Sequence, residues 1–218
     1  TGSAYVVIDG TDGRTHHIRF HDLSATGDSA PGSIVELRAY TDSKDNVRTA
    51  LAVRSDLSIA DQIKSDGATW LDRQLVAGDP PGLGGGFGIE VSQALEARTD
   101  HLIEEGLARH EGKRVVFARS LLATLRRREL DALGERLAAE TGSPFQKSAS
   151  GEYVAGIYRQ RFALASDSVA MIDDGLGFKL VPWTPSVEQH LGKNISGVAR
   201  SDGGIDWSFG RKRTLGMS

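Results

Sequence analysis

Two periods of apolar residues alternate along this chain. Ala4-Tyr5-Val6-Val7-Ile8 is an apolar, β-branched run closed by Asp9-Gly10-Thr11-Asp12-Gly13, a turn cluster with two Asp-Gly pairs. From His16 to Phe20 the pattern alternates. His16, Ile18 and Phe20 face one way, and His17, Arg19 and His21 the other. Pro31-Gly32 opens a further strand from Ser33 to Ala39, and another runs from Val47 to Val53. Short strands joined by Gly/Asp turns predict a small barrel or sheet.

The period then becomes helical. Ser58 can cap a helix through Gln62, with Asp61 favourable in its first turn. A second helix fits Trp70 to Val76. Gly78 to Gly88 is too rich in glycine for regular structure. A long helix is predicted from about Ile89 to Glu105, with Val91, Ala94, Leu95, Leu102 and Ile103 as its apolar stripe and Gly106 as its C-cap. Leu107 to Phe117 reads as strand, glycine turn, strand. Ser120 starts a helix to about Glu140 with Leu121, Leu125, Leu133 and Leu137 on its core side. Helix, helix, long helix, hairpin, helix is the order of a winged-helix domain.

The last segment returns to strands at Tyr153 to Leu164, Val169 to Ile172 and Phe178 to Val181. Pro185 suits the first position of a short helix to Leu191, and Ile195 to Ala199 with Ile205 to Phe209 form a hairpin. Val7-Ile8-Asp9-Gly10 is echoed by Met171-Ile172-Asp173-Asp174-Gly175, a weak internal repeat. The predicted class is α+β. Small β-barrel-like units over residues 1–57 and 148–218 flank a winged-helix-like helical domain over residues 58–147.

Composition narrows the chemistry. The 218 residues contain no cysteine, which excludes disulfides and thiolate metal sites and fits a bacterial cytoplasm. No apolar run approaches the roughly 18 residues of a membrane span, and no signal segment opens the chain. A start at Thr1-Gly2-Ser3 without Met reads as a fragment or a processed product. The formal net charge of −3 does not announce a nucleic-acid binder. Its distribution says more. Residues 58–110 carry four basic groups against nine acidic ones, and residues 111–147 carry eight against five. An anionic partner would therefore meet the second half of the chain.

Candidate sites follow from that distribution. Arg126-Arg127-Arg128 is the strongest basic cluster, joined by Arg119 and by Lys113-Arg114 of the wing-like hairpin. Three successive helical residues spread over about 200°, so they cannot share one groove wall. They serve either as phosphate contacts or as solvated helix surface, with Arg127 paired to Asp131. Arg211-Lys212-Arg213 follows Trp207 and Phe209, an arrangement that holds single strands, unless the two aromatics belong to the core. The long helix carries Glu90, Glu96, Asp100, Glu104 and Glu105 against Arg98 alone, a face that phosphate would repel.

Other constellations carry less. His16 and His17 point to opposite strand faces, so at most His17 and His21 converge, and no metal site is expected. In the Gly82 to Gly88 loop, G-x-G-x-x-G fails, with Phe87 or Ile89 in the last place, and no Gly-Lys-Ser/Thr follows. Asp9, Asp12, Asp173 and Asp174 sit in glycine turns, where carboxylates serve turn geometry. No catalytic residue and no cofactor is expected.

Five stretches carry a family resemblance: Tyr5 to His17 (YVVIDGTDGRTHH), Gly67 to Leu75 (GATWLDRQL), Leu121 to Leu130 (LLATLRRREL), Gly177 to Pro185 (GFKLVPWTP) and Asp206 to Arg213 (DWSFGRKR). In this order the chain resembles the non-catalytic C-terminal region of bacterial conjugative relaxases, the mobilisation nucleases of plasmids and integrative elements. The resemblance implies that the nuclease domain, with its tyrosine nucleophile and histidine-bound metal, lies upstream, and none of those residues maps here. It also implies a barrel strand upstream of Tyr5, without which the first β unit is incomplete. The implied role is to hold DNA, single-stranded or duplex, during mobilisation, or to dock relaxosome proteins or the coupling protein of a type IV secretion system.

Overall fold

The alternating runs become hairpins and the helical runs become helices. A computed structural model describes residues 4–20, 29–41, 47–78 and 82–209. The chain divides into two compact units, Thr1–Arg126 and Arg127–Ser218.

The first unit opens with β1 (Ala4–Asp9) paired antiparallel to β2 (Thr15–Phe20), Val6 opposite Ile18 and Ile8 opposite His16. Five residues, Gly10 to Arg14, join the two strands, with Gly13 in the left-handed region at φ 80°, a conformation that favours glycine. β3 (Ile34–Thr41) and β4 (Val47–Ser55) form a second two-stranded sheet with a register shift at Ile34/Val35. Two separate ribbons stand where a barrel-like unit was expected.

Three helices follow, α1 (Ile59–Ile63), α2 (Trp70–Ala77) and α3 (Phe87–Glu104). Ser58 caps α1 by accepting from the Asp61 N–H. Thr69 and Asp72 form a capping box on α2, and Gly78 ends it at φ 71°. α3 starts two residues earlier than its apolar stripe suggests. The buried, side-chain-free Gly88 lets its first turn pass close beneath the Thr11 carbonyl. Gly106 at φ 69° ends the helix, and the Leu107 N–H reaches back to the Leu102 carbonyl at 2.8 Å. Leu71, Val91, Ala94 and Leu95 make one core cluster. Leu102, Leu107, Ala108, Leu121 and Leu125 make another, beneath the hairpin of β5 (Ala108–Glu111) and β6 (Arg114–Phe117).

α4 (Leu121–Thr141) begins in the first unit and ends in the second. The second unit is a five-stranded antiparallel sheet, in the order β11-β10-β7-β8-β9, built from β7 (Tyr153–Ala163), β8 (Ser168–Asp173), β9 (Phe178–Pro182), β10 (Asn194–Ala199) and β11 (Ile205–Ser208). No pairing joins β9 to β11 among the described residues, so the sheet does not close into a barrel.

Strand β8 is buried on both faces. Val169 and Met171 pack with Leu133 and Leu137 of α4. Ala170 and Ile172 pack with Val154, Tyr158 and Ile195, and with Val187 of α5 (Pro185–Glu188). α5 is shorter than the run to Leu191. Beyond Glu188 the chain continues in tight turns, His190 N–H to Val187 and Leu191 N–H to Glu188. Among the described residues no helix is long and apolar enough to cross a membrane.

Candidate nucleic-acid interface

The basic candidates of the first unit gather on the segment that follows α3. After the Gly106 cap, Leu107 and Ala108 are buried and fix the root of the hairpin. Glu111 pairs with Arg114 across a two-residue loop, in which Gly112 has φ 62° as primed hairpin turns require. Lys113 therefore stands at the tip, with Arg114 beside it, and both are exposed. Arg109 spends its guanidinium on Glu111, Nε to Oε1 at 3.0 Å. Lys113 and Arg114 have no carboxylate partner among the described residues.

Arg119 lies exposed in the turn between β6 and α4, again without an ion-pair partner there. On α4, Arg126 is half-buried while Arg127 and Arg128 are exposed. The i, i+4 pairing of Arg127 with Asp131 is not formed. Asp131 instead accepts from Lys147 Nζ at 2.7 Å. The helix places Arg126 to Arg128 around its axis and not in one row. Arg211, Lys212 and Arg213 lie outside the described residues.

The third helix has the opposite charge. Glu90, Glu96, Asp100, Glu104 and Glu105 are exposed. Arg98, which the pattern set against them as the lone cation, is not on that face. Its side chain is fully buried and its Nε reaches Asp72 Oδ1 at 2.8 Å, with Nη2 on Oδ2 at 2.9 Å. Its remaining protons go to the carbonyls of Ile63, Ser65 and Gly67 at 3.0, 2.7 and 3.1 Å. Asp72 Oδ2 also accepts from the Thr69 N–H and hydroxyl at 2.7 and 2.9 Å. Every donor of the fork is thus used on one loop and one helix N-terminus, a fully satisfied buried network. The reading of α3 as an acidic surface bearing one arginine missed this. The Thr69-x-x-Asp72 spacing was the available signal, because it announces a capping box.

Other constellations resolve into local structure. Asp12 accepts from the His16 ring at 3.1 Å and from the Arg14 N–H at 3.1 Å. The His16 hydrogen bond, more than the Arg14 N–H, holds its carboxyl below the usual range. Asp173 accepts from the Gly175 N–H at 2.8 Å, the main cause of its lowered pKa, and from Arg159 Nε at 2.9 Å. Asp174 accepts from the N–H groups of Leu176 and Gly177, both at 2.9 Å. Among the described residues no three His, Asp or Glu side chains converge as metal ligands do. His21 lies outside those residues.

The glycine-rich loop is filled by the chain itself. The Gly84 N–H donates to the Thr11 carbonyl at 2.8 Å, and a Cβ on Gly13 would stand 2.6 Å from the Gly85 nitrogen. The glycines allow two backbones to touch.

In the second unit, Glu188 Oε2 accepts from the Tyr158 hydroxyl at 2.8 Å and from Trp183 Nε1 at 2.6 Å, while Arg161 lies 3.9 Å over the Trp183 ring. Burial first, then Glu188, pushes the Tyr158 phenol up to about 12. Trp207 and Phe209 pack against the same core, so they are half-buried and not a free stacking surface.

A family model matches residues 37–216, across both units, and its description is a protein of unknown function. The chain belongs to the DUF3363 family. No curated protein and no solved structure matches it. The DUF3363 match spans the hairpin, the arginine triplet and the Asp72–Arg98 network alike.

Proposed function

We propose that this chain is a non-catalytic accessory region of a bacterial conjugative relaxase that helps hold DNA during mobilisation, and that its first unit does so with its hairpin and not with its third helix. The middle elements are read as winged-helix-like, α1 to α3 followed by the β5–β6 wing and α4, and the terminal β units as incomplete small barrels. The observation that carries the reading is the separation of charge. Lys113 and Arg114 stand at the wing tip with no carboxylate partner among the described residues, while the exposed charges of α3 are acidic and its arginine is buried. Phosphate attracts the first and repels the second. The resemblance of five motifs to relaxase C-terminal regions supports the biological setting we infer, a bacterial cytoplasm.

The test is fluorescence anisotropy of the chain with labelled duplex and single-stranded DNA across a salt series. Affinity should fall steeply with salt. The double variant Lys113→Ala/Arg114→Ala should reduce the duplex slope by about 1.8, two phosphates at roughly 0.9 each. Absence of binding at low salt would sink this reading.

A second reading is favoured by α3 itself. Its exposed acidic stripe suits docking of a basic protein partner, such as a relaxosome component or the secretion coupling protein. Charge reversal at Glu96 and Asp100 would abolish such docking, whereas DNA binding would be kept or strengthened by the loss of two repelling carboxylates.

A further inference from the structure

We infer that an open groove in the first unit, between the edges of β1 and β3 that have no partner strand among the described residues, is a site for a β-strand supplied by a basic peptide segment of another protein. The groove measures about 1570 Å³, beyond the roughly 300–1,000 Å³ of small-molecule pockets and suited to a stretch of chain.

The lining residues show how the strands meet it. Eight successive residues of β1 and its turn, Tyr5 to Asp12, line the groove, and so do the first four residues of β3, Ile34 to Leu37, with Ser29 to Ser33 leading into them. Side chains of a strand alternate between faces, so an unbroken run is presented by an edge. The partner strands do not line it in this way. β2 contributes alternate residues, His16 and Ile18, and β4 contributes Arg54.

Hydrogen bonding leads to the same conclusion. The Gly10 N–H donates to the Arg14 carbonyl at 2.8 Å. Antiparallel pairs alternate between bonded and non-bonded, which makes Ile8–His16 and Val6–Ile18 the bonded pairs. Tyr5, Val7 and Asp9 then direct their N–H and C=O groups away from β2, toward the groove. β1 and β3 each have one partner strand among the described residues. Such an edge is a template for strand addition.

The floor and the charge define the occupant. Ile63, Trp70, Phe87 and Ala94 form an apolar floor from the three helices. A strand of about six residues, near 20 Å long, would lay every second side chain on it. Asp9, Asp12, Glu36 and Glu90 line the walls together with Arg54 and Arg73, four carboxylates against two guanidinium groups. Arg54 is bound to Glu36 and His16 to Asp12, and Glu90 has no partner among the described residues. The excess is acidic, so the incoming strand should bear lysine or arginine. A second copy of this chain fits less well, because residues 1–57 carry six basic groups against eight acidic ones.

The inference goes beyond the DNA-holding reading and uses none of its residues. Its test is a titration of the full ¹⁵N-labelled chain with an eight-residue peptide of alternating threonine and valine between two terminal lysines. Saturable shifts and slowed hydrogen exchange are expected at the amides of Tyr5, Val7 and Asp9. Val7→Pro should abolish binding while Val6 and Ile8 stay protected, and Glu90→Lys should weaken it about fivefold. Three results would overturn the proposal: no saturable shift at about 1 mM peptide, equal binding of a backbone N-methylated peptide, or edge amides already protected before peptide is added, which would mean that the chain fills the groove itself.

Discussion

The two units solve the same problem with different chemistry. In the second, β8 is sandwiched. Val169 and Met171 meet α4 on one face, and Ala170 and Ile172 meet β7, β10 and α5 on the other. Its polar contacts lie around that sandwich. Glu129 ties α4 to the β7–β8 turn through the Ala165 and Ser166 N–H groups at 2.6 and 3.1 Å. In the first unit the β-ribbons are covered on one side only, Tyr5 and Val7 being about two-thirds exposed, and the centre of the helical part is an ion pair. The β1–β2 and β8–β9 hairpins both turn on aspartate and glycine and differ in fate, because burial depends on what covers the faces and not on the turn. A unit organised around a polar centre should fail when one group is removed. A unit organised around an apolar layer should not depend on any single polar contact.

The largest expected effect is at Arg98. Arg98→Met leaves Asp72 buried without its cation, and breaking such a pair costs about 3–5 kcal/mol. That is a large part of a typical domain's stability. Denaturant unfolding of the full chain, with hydrogen exchange followed by segment, should show Gly67 to Ala77 losing protection while Val169 to Ile172 keep theirs. Equal loss in both segments would break the comparison.

A smaller effect is expected where the first hairpin meets the glycine loop. A methyl group on Gly84 would land on the Asp12 carbonyl, whereas on Gly82 it meets nothing within 4 Å. Gly84→Ala should cost about 1–3 kcal/mol through overpacking. Exchange should quicken across Thr15 to Phe20, with Leu71 to Ala77 unchanged. Gly82→Ala is the matched control and should be close to neutral. If the two variants behave alike, the backbone contact does not hold the ribbon.

Much of this architecture was legible because periodicity is local. The alternation from His16 to Phe20, the Gly106 cap and the leucines of α4 lead directly to β2, to the end of α3 and to two core clusters. The placement of the hairpin cations was legible too, since Lys113 lies in an obvious turn and Arg114 beside it. What escaped depends on partners distant in sequence. Arg98 looks like surface on a helix of acids until Asp72, on another helix, claims it. Arg127 and Asp131 have the right spacing to pair, yet Lys147, from beyond the end of the helix, takes the carboxylate. The groove was invisible for a stronger reason. It is made by two backbone edges, and edges carry no side-chain signature.

The smallest expected effect probes the second unit's periphery. Hydrogen bonds from Trp183 first and then Tyr158 hold the Glu188 carboxyl below its ordinary 4.5. A depressed folded pKa means that the ionised form is preferred by the folded chain. Its contribution to stability is therefore present above about pH 4.5 and lost as pH falls through the lowered value. Glu188→Gln should lower stability slightly at neutral pH, and the gap from the parent chain should close in acid. Denaturant midpoints read by tryptophan fluorescence at several pH values would measure it. A gap that stays constant with pH would show that the charge of Glu188 is not what ties α5 to the sheet. A gap as large as that of Arg98→Met would mean that the second unit also depends on a single polar contact, and the contrast between the units would fail.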